Sequence, residues 1–197
     1  MHGRRTLAAL LLAVLAGVAA PTASRADDLP AWRMDAAASQ LTFTPRLAGG
    51  EFAGRFEHFQ VALRFSPADL AHSSLQVTVD LPSARTGDAD RDVALQGGDF
   101  FATSRWPRAR FTSSSIRGLG GDRYEARGKL TLRDVTRDVV VPFRFEPGAP
   151  SGGKARLSGS TTVQRLTFNV GQGEWRSTDW LDDRVRIDYT VALDAAR

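Results

Sequence analysis

The chain of 197 residues contains no cysteine. That excludes disulfides, thiol nucleophiles, covalently attached haem and a lipid-modified N-terminal cysteine, and it leaves stability to the core alone. Histidine is nearly as scarce, three in all. His58 and His72 have no H-x-x-x-H or E-x-x-H neighbour, so a transition-metal site is not expected. There is no G-x-S-x-G elbow. Gly118-Leu119-Gly120 and Gly171-Gln172-Gly173 each meet an arginine where a dinucleotide loop needs its third glycine, and both read as turns. The 22 acidic residues supply many possible carboxylate pairs, so their abundance is no sign of a glycosidase. No enzyme and no cofactor is expected. Internal repeats and low-complexity segments are also lacking, and the length suits one domain.

Apolar runs are short, and the longest is N-terminal. A basic start, Met1–Arg5, precedes the apolar Leu7–Ala20, and Ser24-Arg25-Ala26 puts small residues at −3 and −1. This predicts a signal peptide over 1–26, cleaved before Asp27, with 27–197 as the mature domain. The run falls short of the roughly 20 apolar residues that span a bilayer. Arg4-Arg5 is a poor match to a twin-arginine signal, so the general export route is expected. Losing Arg4, Arg5 and Arg25 from 26 basic residues leaves 23 against 22 acids, a net of about +1. A nucleic-acid binder would concentrate far more positive charge. A soluble periplasmic protein with no transmembrane segment in the mature chain fits this balance best.

What is abundant is period two. Leu75, Val77, Val79 and Leu81 alternate with Ser74, Gln76, Thr78 and Asp80; Val185, Ile187, Tyr189, Val191 and Leu193 alternate with polar residues. The pattern recurs over 41–47, 59–65, 111–115, 123–132, 139–145 and 155–163, with Gly, Pro and Asp turn signals between. These are strands with one dry face, joined as antiparallel hairpins. Phe52, Gly54 and Phe56 share a parity that fails before Phe59, which predicts a bulge near Glu57-His58 in one bent strand. Eight strands result, in a sandwich or a barrel. Pro142, on an outward parity, predicts an edge-like or bulged position. A short helix is predicted near 88–97, with Asp88 as its cap and Val93 and Leu95 buried.

Asp88, Asp90 and Asp92 mimic the first half of a calcium loop, but Val93 stands where Gly is needed and Asp99 where Glu is needed. A helix start enriched in acid is the simpler reading. TGDADRDVALQGGDFFATSRWPRARF, Thr86–Phe111, resembles the YceI-like family of lipid-binding periplasmic proteins. The matching residues are Asp90, Arg91, Asp92, Leu95, Asp99, Phe100, Phe101, Trp106, Pro107 and Phe111. The likeness continues in GRFEHFQVALRF (54–65), GKLTLRDVTRDVVVPF (128–143) and VQRLTFNVGQGEW (163–175), and runs from about Trp32 to Leu193. It departs at Ala94, where relatives often carry His.

The resemblance implies an all-β fold, an extended, eight-stranded, antiparallel, lipocalin-like barrel with the short helical segment near 88–97. It also implies a polyisoprenoid ligand, such as an isoprenoid quinone or a prenyl phosphate, in an apolar channel. Inward parity supplies Phe43, Phe65, Phe111, Tyr124, Phe143, Phe145 and Tyr189 to line it, and Phe100, Phe101 and Trp106 are expected near its mouth. Arg105 and Arg108 offer charge to a phosphate but equally suit a solvated surface. Each inward aromatic is also an ordinary core residue by type. A membrane oxidoreductase would suit a quinone carrier as partner. The alternative is a filled β core acting as an envelope interaction module through the Trp-bearing loop 166–183. N-terminal sequencing of the exported protein is expected to begin at Asp27; a product retaining Met1 would remove the periplasmic assignment.

Overall fold

The computed structural model of the protein describes residues 29–48, 50–148 and 153–196; the leader read over 1–26 lies outside them. The strands, in chain order, are β1 (Ala31–Thr44), β2 (Arg46–Leu47), β3 (Gly50–Glu51), β4 (Gly54–Phe56), β5 (Phe59–Arg64) and β6 (Ser74–Asp80). They continue with β7 (Ala84–Arg85), β8 (Arg108–Gly120), β9 (Arg123–Leu132), β10 (Val135–Pro147), β11 (Lys154–Gln164) and β12 (Arg184–Ala195). One α-helix, α1 (Ala89–Gln96), lies between β7 and β8.

Eight of these strands run antiparallel in the order β5, β6, β8, β9, β10, β11, β12, β1, and β1 returns to β5. The sheet is an eight-stranded barrel, closed by the pairing of β1 with both β5 and β12. Closure is set at β1, where Trp32 faces Ala195 and Phe43 faces Ile187 across to β12. β4 and β5 are two halves of one bent strand, because Phe43 of β1 pairs with Gly54 and Arg33 with Ala62. The break falls at Glu57 and His58, as the parity change predicts, and Ser83 takes both freed amides: Glu57 N donates to its carbonyl (3.1 Å) and His58 N to its hydroxyl (3.0 Å). A second register shift, between Ser113 and Ser115, lets Phe111 and Ile116 of opposite parity both point inward.

Pro142 marks a seam. β9 pairs along its whole length with Val135–Arg144 of β10, down to Val135 opposite Leu132, but the β10–β11 ladder spans only Arg144–Pro147 against Ala155–Ser158. It stops two residues short of Pro142, which has no N–H to offer. Side chains close the gap. Thr161 donates through Oγ1 to the Val140 carbonyl (2.9 Å), and the Tyr189 hydroxyl donates to the Pro142 carbonyl. Tyr189 reaches across β11 because Gly159 lies beneath its ring; a Cβ there would stand 2.8 Å from Tyr189 Cε2. Burial pushes the Tyr189 phenol well above its ordinary pKa, so it remains a donor.

The interior is solid at one end. Phe65 is 1% exposed and packs edge-on against Tyr124 (centroids 4.9 Å) and Phe143 (5.7 Å), and tilted against Phe145 (4.7 Å). Tyr124 and Phe143 are register partners and stack at 5.5 Å. Trp32 completes the cluster against Phe145 at 5.2 Å and donates its indole N–H to the Phe65 carbonyl (3.1 Å). Phe65→Ala is expected to cost about 3–5 kcal/mol in urea denaturation. Val93→Ala, on exposed α1, should change stability by no more than about 0.5 kcal/mol.

Candidate functional site

The other end is hollow. A cavity of about 290 Å³ lies between the aromatic plug and the ends of β1, β4 and α1. This is at the lower end of small-molecule sites, about 300 Å³ and upward. Its wall comes from the inward parities of Val77 and Val79 in β6, Leu130 in β9, Val139 and Val141 in β10, and Ile187 in β12. At the mouth, Phe43 packs tilted on Phe56 (5.0 Å) and Phe56 on Phe101 (6.1 Å). Gly54 permits this, since a Cβ there would fall 2.2 Å from Phe43 Cζ.

The expected lining residues divide. Phe43, Phe100, Phe101, Phe111 and Tyr189 line the cavity. Phe65, Tyr124, Phe143 and Phe145 do not; they form the plug, because parity gives the direction of a side chain but not its height along the barrel axis. Trp106 is also absent from the wall. Arg105 stacks on its ring at 4.3 Å and Arg133 at 5.1 Å, so it is held from outside by two guanidinium groups. Arg105 and Arg108 do not line the cavity, but Arg91 and Arg165 do.

The acidic stretch resolves into helix chemistry. Asp88 caps α1, its Oδ1 accepting from Arg91 N (3.0 Å) while Oδ2 pairs with the Arg91 guanidinium (3.0 Å). The Arg91 amide first, and then its guanidinium, hold the Asp88 carboxyl below the usual range. Asp92 Oδ1 accepts from the amide and hydroxyl of Thr86, both at 2.7 Å. Leu95 is buried against the mouth, but Val93 is 71% exposed, contrary to expectation. In eight residues α1 has one buried face, and Val93 points away from it. Arg91, Ala94 and Leu95 share the cavity side, with Arg91 seated 4.3 Å over the Phe52 ring.

The loop from Leu166 to Asp183 closes the mouth from the opposite side. The amides of Gly171 and Gln172 both donate to the Asp99 carbonyl (2.7 and 2.8 Å), and Arg133 Nη1 bridges the carbonyls of Phe100 and Asn169. Trp175 packs on Phe100 at 5.6 Å, while Trp180 is 65% exposed. Arg165 organises this loop from within. It is 3% exposed, and it donates to the carbonyls of Asp182 (3.0 Å), Val170 (3.0 Å), Gly171 (3.3 Å) and Leu181 (2.6 Å). Desolvation pulls its pKa down, opposed by the nearby Asp183 and Asp182. Sequence reading missed it, since an arginine after a polar strand residue reads as surface. The only signal was its place in the VQRLTFNVGQGEW match.

A closed antiparallel barrel, plugged at one end and hollow and apolar at the other, is a lipocalin-like container. The chain belongs to the YceI-like family: residues 32–193 match the YceI-like domain. It is 30% identical to a UPF0312 protein of Vibrio cholerae over 170 residues, 85% of this chain and 89% of that one. The crystal structure of Burkholderia cenocepacia BcnA superposes with a TM-score of 0.76 at 32% identity, covering 81% of this chain and 98% of that one. A Saccharophagus degradans domain described as polyisoprenoid binding shares the fold, with a TM-score of 0.66 at 15% identity over 84% of this chain and 98% of its own. Arg165→Gln leaves several loop carbonyls without donors, at about 1–3 kcal/mol for each one buried. Limited trypsinolysis at Arg176 and Arg184 is expected to become faster at temperatures where the barrel remains folded.

Proposed function

We propose that the protein is a periplasmic carrier or sequestering protein that holds an isoprenoid lipid in the barrel cavity by burial, without covalent change. The observation that carries this is the apolar cavity itself, closed by the Phe65 cluster at one end and open beside α1 at the other. An isoprenoid tail there gains about 0.8 kcal/mol for each CH₂-sized group buried, so ten groups supply roughly 8 kcal/mol gross before ordering costs. No catalytic or metal group is needed for useful affinity. The polyisoprenoid-binding description of the Saccharophagus degradans domain supports the ligand class.

A filled core acting only through the 166–183 loop would leave no such cavity. Native mass spectrometry of gently purified protein is expected to show a retained isoprenoid lipid, or uptake of one after delipidation. Val79→Trp, which places a large ring inside the wall, is expected to reduce uptake at least ~10-fold. A lipid-free protein that takes up neither a quinone nor a prenyl phosphate would overturn the carrier reading.

A further inference from the structure

Pairing between β10 and β11 stops at the level where the plug ends and the cavity begins. Residues 144–147 of β10 form the ladder beside the aromatic cluster, but residues 135–143 and residues 159–164 of β11 run on without ladder pairs to each other. On their other flanks the same residues are fully paired, β10 to β9 and β11 to β12. The seam therefore lies between two intact antiparallel pairs. Val139, Val141, Thr161 and Val163 border it, and all four line the cavity. Two side-chain bonds latch it: Thr161 Oγ1 donates to the Val140 carbonyl (2.9 Å), and the Tyr189 hydroxyl, passing Gly159, donates to the Pro142 carbonyl. Pro142 has no N–H, so no sliding of the strands completes the ladder at its position. The outward residues along the seam, Val140, Pro142, Ser160 and Thr162, are all uncharged, whereas neighbouring β9 presents Arg123, Glu125, Arg127 and Lys129. A second unpaired stretch, of β1 beside β5, is tied to β12 by its own bulge: the Ser39 hydroxyl donates to the Asp35 carbonyl (2.6 Å) and accepts from Ala192 N (3.0 Å).

We propose that the β10–β11 seam is a lateral gate, through which an apolar chain enters and leaves the cavity sideways across the barrel wall. The inference rests on the carrier reading for the identity of the guest; the gate itself follows from where the pairing stops. Parting a complete ladder would strip a row of backbone hydrogen bonds, whereas parting this stretch releases the Thr161 and Tyr189 latches. The uncharged outer border lets a hydrocarbon cross without desolvating an ion. Both ends of the opening are fixed, one by the ladder at residues 144–147 and the other by the short turn Arg165–Phe168, which packs against β10. A side opening also admits a long chain along its length, where an end-on route requires it to thread from its tip.

The chain has no cysteine, so a pair introduced on the outer face supplies its only thiols. Val140→Cys with Thr162→Cys sets them opposite each other when the register of Arg144 with Ser158 is carried on. A short bis-methanethiosulfonate cross-link then staples the seam, and a reducing agent releases it. Entry into the delipidated protein and exit from it are followed by stopped-flow fluorescence with N-phenyl-1-naphthylamine, an apolar dye, and by native mass spectrometry with geranylgeraniol. The staple is expected to slow entry and exit alike by ~10-fold or more, with affinity unchanged and the rates restored on reduction. Thr161→Val, which keeps the shape of the side chain and removes one latch, is expected to speed both ~3-fold or more. Rates that neither the staple nor Thr161→Val alters overturn the gate and leave the mouth as the route, with lipid carriage intact. A dye that is gated in a protein that never takes up geranylgeraniol supports the gate and counts against the isoprenoid reading. Failure of both probes to enter the unstapled protein overturns the gate and the carrier reading together.

Discussion

The aromatic cluster around Phe65 is the contact on which the rest of the structure depends. Closing eight strands creates an interior that must be filled by side chains or left for a guest. Here Phe65, Tyr124, Phe143, Phe145 and Trp32 fill one end in edge-on and stacked pairs. Such pairs bring both buried area and a preferred geometry. At the other end a second cluster, around Phe43, Leu81, Leu95, Phe101 and Phe168, packs about the mouth, and Val77, Val79, Leu130, Val139 and Ile187 cover the wall of the cavity between them. A cysteine-free chain has no covalent staple, so these two clusters must hold the barrel around the cavity.

The mouth is held differently. Its segments are irregular, and backbone polar groups near an apolar cavity must be paired. Two arginines and one carbonyl do most of this: Arg165 gathers the carbonyls of Val170, Gly171, Leu181 and Asp182, Arg133 joins Phe100 to Asn169, and Asp99 accepts two amides of the loop. The same Arg165 that ties the loop also lines the cavity. The β10–β11 seam shows similar economy, with Tyr189 and Thr161 replacing ladder bonds while they face the cavity.

Much of this was legible in the residues. Period two gave the strands, the parity change before Phe59 marked the break at Glu57-His58, and Pro142 marked where the β10–β11 ladder ends. Asp88 was readable as a helix cap. Val93 was misplaced because an eight-residue helix against a barrel end buries one narrow face, and local pattern does not say which residue lies on it.

Alternation along each strand depends only on backbone pleat, so the sequence by itself determined which side chains point inward. It did not determine their level along the barrel, because that depends on register between strands far apart in the chain. Register sends Phe143 and Phe145 to the plug and leaves Val139 and Val141, on the same strand and the same face, around the cavity. Tertiary structure alone also decided the fate of the arginines. Arg165 is buried only because carbonyls up to 17 residues away converge on it, whereas Arg105 is drawn outward by the ring of Trp106.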